Sequence, residues 1–162
     1  MALCVFFAIV QHVIRSASRQ RIIVEDVQIS GGFAFYDFQC KRDSSGSISG
    51  YGLEPGVFRQ LLIDWLGIDS ADRVVLITYY TYTVPPEAPI VSRRTLEAIA
   101  MLESLEELDV CGIQSVDDSV IDVLARMQQL RHLCVARTSI TASGISRLRL
   151  ALPKTDIIGN EN

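Results

Sequence analysis

The sequence predicts an α/β fold: short parallel strands backed by helices stack as a short solenoid, preceded by an N-terminal α/β cap and a long N-terminal helix. Residues 105–129 and 130–153 share one pattern of apolar positions, and residues 73–104 repeat it loosely. Self-similarity with a fixed period of a few tens of residues is typical of stacked repeat architectures. The length of 162 residues suits one domain with a sizeable core.

The first predicted element is a helix over residues 1–31. Residues 1–10 (MALCVFFAIV) carry no charged side chain, and apolar residues recur at near-helical spacing through Val27 until Gly31 and Gly32 end the pattern. The first fourteen, mostly apolar positions would extend about 21 Å as a helix, short of the roughly 30 Å hydrocarbon core of a bilayer. Two interpretations stay open, a helix packed on the domain and the remnant of a membrane anchor, and the remnant is favoured.

Residues 32–72 are predicted to cap the array, because a solenoid with few units exposes core at its ends. The aromatic-rich run from Phe33 to Phe38 is typical of a strand, whereas residues 40–52 (CKRDSSGSISGYG) indicate a polar, flexible loop. The segment from Pro55 to Leu66 is predicted to be a helix with a wide apolar face. Trp65 on that face suits a binding hot spot, but a core position is the more common role and is the prediction.

The repeat units are predicted to occupy residues 73–157, followed by a tail over residues 158–162. The two clear units align at their apolar positions: Leu105 with Leu130, Leu108 with Leu133 and Val110 with Val135. These positions alternate as in a strand, and the apolar residues that follow recur at helical spacing. A unit of about 24 residues cannot bury its apolar side alone, whereas stacked copies form a continuous core.

The first unit is longer and more degenerate than the other two. Val75 and Ile77 are predicted to match the strand positions, and Leu96, Ile99 and Leu102 the helical stripe. An insertion lies between them, and its prolines favour an extended loop. The distinctive residues of the insertion are Tyr79, Tyr80, Tyr82, Val84, Pro85, Pro86 and Pro89.

The last unit resembles a known repeat. The stretch from Thr138 to Ile145 (TSITASGI), with Leu148 and the closing Leu152 and Pro153, resembles the TxITDxGLxxL repeat of ribonuclease-inhibitor-like leucine-rich repeat proteins of bacteria. Ala142 stands where that family prefers Asp, and the preceding unit lacks the Thr and Gly of the motif. The resemblance covers the repeat region and implies a leucine-rich repeat solenoid, which works by presenting a surface.

Some bacterial members of this family also resemble the chain upstream of the repeats. They carry a membrane helix, an Arg-rich helix ending in Gly-Gly, an aromatic strand and a Pro-Gly helix. The corresponding segments here are Arg19 to Gly32, Phe33 to Phe38, and Glu54, Pro55 and Gly56 leading into Val57 to Leu66. The resemblance implies that Met1 lies inside an anchor and that the protein is membrane-associated, with the facing side open and a cytoplasmic location as the alternative.

Composition and motifs argue against several function classes. A net charge of −4, a pI near 5.1 and the lack of a basic run make nucleic acid an unfavourable partner. The sequence contains no phosphate-binding glycine motif and no convergent catalytic set, so we expect no enzymatic activity, no cofactor and no small-molecule substrate.

The cysteines and histidines give no metal-binding pattern in the sequence. Cys4, Cys40, Cys111 and Cys134 form no CxxC pair, so free thiols and no metal site are expected. Cys111 and Cys134 are predicted to lie about two positions out of register on neighbouring strands, which disfavours a disulfide. His132 shares a strand face with Cys134, but no third group is evident to orient it for catalysis.

The sequence therefore predicts a non-catalytic, membrane-tethered leucine-rich repeat module that binds an unidentified protein partner. Outward strand positions and the tyrosine-rich insertion are its predicted surface, because clustered Tyr gives contact area at low entropy cost. The alternative for the insertion is packing against the flank of the repeats. Two other functions stay open, self-assembly through the N-terminal helix and, less favoured, a thiol-dependent enzyme. The candidate binding residues are Tyr79, Tyr80, Tyr82, Thr78, Asp109, Cys111 and Cys134.

Overall fold

The computed structural model describes residues 2–79 and 89–160, with the backbone alone for residues 2–10, 12 and 13. The chain forms a mixed α/β structure around a five-stranded, mostly parallel sheet with helices, which confirms the predicted class at this level. Tyr80 and Tyr82, two of the predicted binding residues, lie outside the described residues.

The sheet is built from strands that follow one another along the chain. Its order is β1-β4-β5-β6-β7, in which β1 runs antiparallel to β4 and the other neighbours are parallel. The strands of this sheet are β1 (Phe33–Tyr36), β4 (Val74–Thr78), β5 (Glu107–Asp109), β6 (His132–Cys134) and β7 (Asp156–Ile158). A separate two-stranded sheet pairs β2 (Cys40–Arg42) with β3 (Ile48–Tyr51).

The register of the parallel strands matches the alignment of the two clear units. Leu108 pairs with Leu133, as their alignment predicts. Ile77 also pairs with Leu108, so the predicted match of Val75 and Ile77 to the strand positions is wrong by two residues. The register could not be read from the residues because all of β4 is buried, which removes the alternation that marks a strand face. Ile157 joins the same row on β7, a strand that the repeat pattern did not predict.

Helical segments return along one side of the sheet after each strand. They are α4 (Arg93–Ile99), a 3-10 turn (Asp118–Val120) continuing into α5 (Ile121–Leu124), and α6 (Ala142–Ala151). Each begins at a polar cap, where the side chains of Ser92, Asp117 and Thr141 accept hydrogen bonds from backbone N–H groups. Leu96, Ile121 and Leu148 are buried in a core shared with the strands.

Gly144 lies where the start of α6 comes close to the preceding helical segment. A Cβ at this position would collide with the Asp118 carboxylate and lie 2.7 Å from Ile121. That carboxylate accepts hydrogen bonds from the Thr141 backbone N–H (2.9 Å) and hydroxyl (2.7 Å). The glycine thus lets the start of α6 approach the preceding helical segment closely, and a polar bridge holds the two together.

The N-terminal helix α1 (Ala2–Ile29) packs on the body through its second half. Ile23, Val24 and Val27 are buried in the main core. The buried amide of Gln20 accepts a hydrogen bond from the Val74 N–H (3.1 Å) and donates one to the Asp72 carbonyl (2.9 Å). Since a buried amide is costly unless it is satisfied, these bonds fix the helix relative to β4. Among the described residues, no helix combines the length and hydropathy needed to cross a bilayer.

Two predictions for the cap are wrong. Residues 40–52 are not simply a flexible loop, because β2 and β3 form a hairpin within them. The helix α2 (Val57–Leu66) has no buried residue, and Trp65 is 82% exposed rather than part of the core. The physical reason is that β1 and α1 already cover the β4 end of the sheet, so α2 instead packs on the short helix α3 (Ile68–Ala71).

A leucine in the strand row should carry much more stability than an exposed one. Leu133 is fully buried (0% exposed), whereas Leu150 on α6 is 84% exposed. We expect Leu133→Ala to lower the free energy of unfolding by about 2–5 kcal/mol, because it leaves a cavity in the core. Leu150→Ala, the matched control, should change it by about 0.5 kcal/mol or less. Urea denaturation followed by circular dichroism measures both, and equal losses would contradict the described packing.

Candidate functional site

The outer face of the sheet, opposite the helices, presents two rows of side chains. Buried residues such as Leu108 point to the core, so their neighbours along each strand point outward. One row comprises Leu76, Glu107, His132 and Asp156. The other comprises Thr78, Asp109, Cys134 and Ile158. Together with the β2–β3 hairpin, the outer face lines a cleft of about 400 Å³.

The hairpin forms one wall of the cleft and is held there by charged contacts. The Arg42 guanidinium donates hydrogen bonds to both Glu106 oxygens (2.8 and 3.1 Å) and to Asp37 (2.7 Å). These carboxylates raise the pKa of Arg42, and the Arg42 bond lowers the pKa of Asp37. The Ile48 N–H also donates to the Glu107 carboxylate (3.3 Å). These contacts join the hairpin to the start of β5, so the two form one continuous wall of the cleft.

The part of the cleft lined by Glu107 and His132 contains or adjoins two carboxyl groups, those of Glu107 and Asp156. Burial raises the pKa of the Glu107 carboxyl, an effect opposed by nearby His132 and by the hydrogen bond from Ile48. On the next strand, His132 Nδ1 lies 3.4 Å from an Asp156 oxygen. Asp156 is thus a group placed beside the histidine that the sequence interpretation did not find, because it lies on the unpredicted strand β7.

Where Asp109 and Cys134 line the cleft, two thiols and a carboxylate come together. Asp109 and Cys134 are paired on neighbouring strands, and Cys111 follows two residues after Asp109. One ligand atom from each of the three residues lies within 4.8 Å of the other two. The sequence expectation of offset cysteines is right for the backbone register, yet their side chains meet. Sequence spacing missed this cluster because its members come from two repeat units.

Cys134 is a poor nucleophile in this setting. Burial, the largest cause, raises the pKa of the Cys134 thiol to about 12, and the negative charge of Asp109 acts in the same direction. The thiolate is the reactive form of cysteine, so a protonated thiol disfavours covalent catalysis. The Asp156 carboxylate lies beside His132, but the raised pKa of the Cys134 thiol argues against the thiol-enzyme alternative.

The predicted binding tyrosines do not contribute to this cleft within the described residues. Tyr79 is buried, and its hydroxyl lies 3.0 Å from the Ser30 hydroxyl at the end of α1. Burial raises the pKa of Tyr79. Tyr79 therefore packs against the core, whereas Tyr80 and Tyr82 lie outside the described residues.

Thr78 lies in the same row as Asp109 and Cys134 and is a buried polar residue. It is only 2% exposed, and it lines the cleft beside Asp109. Within the described residues its hydroxyl has no hydrogen-bond partner. A buried hydroxyl without a partner costs free energy, so the hydrogen-bonding capacity of the Thr78 hydroxyl is left unsatisfied at this point of the cleft.

A second surface lies on α2. Five of its apolar side chains are exposed, and four of them share one side of the helix, with Phe58 at 76% and Trp65 at 82%. At 100° per residue these four fall within about a third of the helix circumference. We name this surface the α2 stripe; it consists of Val57, Phe58, Leu61 and Trp65. Arg59, on another side of α2, pairs with Asp72 at 2.6 Å and attaches the helix to the body.

Comparison with known proteins does not identify a family. No protein-family model and no curated protein sequence matches the chain.

The protonated state of Cys134 can be measured by alkylation. We expect iodoacetamide to label Cys134 in the folded protein at pH 8 at least about tenfold more slowly than in the denatured chain, because the raised pKa removes thiolate. Raising the pH toward 10 should increase the folded-state rate. Peptide mass spectrometry after timed quenching gives the rate at each cysteine. Faster labelling of Cys134 in the folded state, above that of Cys111, would instead favour the thiol-enzyme alternative.

Proposed function

We propose that this protein is a non-catalytic, leucine-rich repeat module that binds a protein partner through the α2 stripe. The repeat assignment is supported by the succession of parallel strands in chain order, with buried row positions Leu108, Leu133 and Ile157 separated by 25 and 24 residues. It is also supported by the Gly144 approach, which gives a steric reason for the glycine of the family motif.

The exposed α2 stripe is the observation that carries the binding proposal. Large apolar side chains clustered on one exposed helix face are typical of interaction sites on soluble proteins. Phe58, Leu61 and Trp65 occupy positions i, i+3 and i+7 of a helix. This spacing is that of a helix that inserts its apolar anchors into a groove of another protein. Tryptophan is also among the residues enriched in binding hot spots.

The charge of α2 favours a protein groove over a lipid surface. Helices that lie on membranes carry several Lys or Arg residues on the polar face. Arg59 is the single basic residue of α2, and its guanidinium pairs with Asp72. Gln60 and Asp64, which flank the α2 stripe, hydrogen bond to each other (2.7 Å). A neutral to acidic flank gives no attraction to anionic lipid, so a protein with an apolar groove is the proposed partner.

Site-specific photo-crosslinking in the native cells tests this proposal. A photoreactive amino acid at position 61 should give one discrete adduct with another protein, identified by mass spectrometry. A synthetic peptide covering residues 55–67 should compete for the adduct, and the same peptide with Phe58→Ala and Trp65→Ala should not. The same photoreactive group at Leu150, an apolar site of α6 that is even more exposed than Leu61 (84% against 62%), should not form that adduct.

Several outcomes would overturn the proposal. An adduct of the chain with itself alone would favour the self-assembly alternative. Adducts with lipid alone, or equal adducts from positions 61 and 150, would remove the argument for a groove. Phe58→Ser and Trp65→Ser should leave stability within about 0.5 kcal/mol, because neither side chain is buried. Loss of the adduct in these variants is then a loss of binding rather than of folding.

Membrane tethering through the apolar start of α1 is a second part of the proposal. It is supported by residues 1–10, which carry no charged side chain. We expect the full chain to float with neutral lipid vesicles in a density gradient, and Phe6→Ser with Phe7→Ser to reduce the floating fraction. The control is Phe58→Ser with Trp65→Ser, which should float normally. If only the control variant loses flotation, α2 rather than α1 contacts lipid and both parts of the proposal are wrong.

A further inference from the structure

We propose that Asp109, Cys111 and Cys134 form a binding site for a thiophilic divalent cation, with zinc as the best match. This proposal goes beyond partner binding, because the three residues cluster where Asp109 and Cys134 line the cleft and not on α2. Two thiolates and one carboxylate are a ligand set that zinc accepts, whereas calcium and magnesium prefer oxygen ligands alone.

The separations suit one small cation. In a tetrahedral site with zinc–sulfur distances of 2.3 Å, neighbouring ligand atoms lie about 3.8 Å apart. The three candidate ligand atoms already lie within 4.8 Å of one another, and all three residues are half-buried. A contraction of about 1 Å is within the reach of side-chain rotation, so the strands need not move.

The backbone holds these side chains in place. Asp109 and Cys134 are paired on adjacent strands, and the ladder continues beyond them through the Val110 N–H bond to the Cys134 carbonyl (3.0 Å). Gly112, at φ +81°, turns the chain directly after Cys111. One Asp109 oxygen accepts the Cys111 N–H (2.9 Å), which orients the carboxylate and leaves its other oxygen for a cation.

The surrounding charge balances such a site. Binding of the cation would release the two thiol protons to solvent. The resulting two thiolates and the carboxylate carry three negative charges, so a divalent cation would leave one. The Arg137 guanidinium donates a hydrogen bond to the Cys111 sulfur at 3.6 Å and places a positive charge beside the cluster. Hydrogen bonds to ligand sulfur are a common outer-shell feature of metal sites.

The Thr78 hydroxyl is an independent observation that points to a ligand. It is buried, it lies in the same row as Asp109 and Cys134, and it lacks a partner among the described residues. Zinc sites with three protein ligands hold water in the fourth position. Thr78 is paired with Asp109 on the neighbouring strand, so this unsatisfied hydroxyl belongs to the residue directly beside a proposed ligand.

Cobalt(II) titration of the reduced, full-length protein tests the site, because cobalt takes the place of zinc and gives an absorption band when thiolates bind it. We expect a thiolate band that saturates at one cobalt per chain and disappears when zinc is added. Cys111→Ser and Cys134→Ser should each abolish or strongly reduce it. Asp109→Asn should keep the thiolate band while raising the dissociation constant about tenfold or more.

Cys40→Ala is the matched control, since Cys40 is a buried cysteine that packs beside Val75 rather than in the cluster. It should retain the full band, and circular dichroism should show that every variant folds. A missing band in excess cobalt would overturn the proposal. A band that survives in both Cys111→Ser and Cys134→Ser, or a disulfide between these cysteines in place of metal binding, would overturn it as well.

Discussion

The buried row of Ile77, Leu108, Leu133 and Ile157 determines where the other elements of the chain can pack. These residues stack across four parallel strands, and parallel sheets need helices to cover the faces that bury such rows. Each helical segment therefore returns along the same side of the sheet. The opposite side is left as the outer face, and the residues that alternate with the row form the cleft.

The same constraint decides what the N-terminal part of the chain does. β4 would expose a strand edge, but β1 pairs with it antiparallel from Phe33 to Tyr36. The amide of Gln20 fixes α1 against the start of β4, and Tyr79 closes the other end by contacting Ser30. Because these elements complete the cover, α2 has no remaining core surface to bury. The α2 stripe therefore stays exposed although its side chains are apolar, because the core is already covered by other elements.

Much of the fold could be predicted from residues alone because the two clear units have nearly equal length. Equal length makes sequence alignment and strand register coincide, as for Leu108 and Leu133. The register of β4 could not be found, since burial on both faces makes Val74 to Thr78 uniformly apolar or small. β7 has one buried residue, Ile157, which is too weak a pattern to predict a strand.

The candidate site was harder to predict than the fold. Thr78, Asp109 and Cys134 could be assigned to outward positions by alternation, but the contact of Cys111 with them depends on the turn at Gly112. Long-range contacts such as Arg42 with Glu106 leave no local pattern in a single sequence. The apolar face of α2 predicts that the helix packs against another surface. It does not say whether that surface belongs to the same chain or to another molecule.

The two edges of the sheet are unlike, and this gives the array a direction. At one edge β1 runs antiparallel, so a further parallel unit cannot be added there. At the other edge β7 has the same orientation as the strands before it, and its three residues end the described strand order. A strand from outside the sheet could continue the parallel order only by pairing with β7. A strand that continued the parallel order of β4 to β7 would therefore lie beside β7, at the edge of the sheet away from β1.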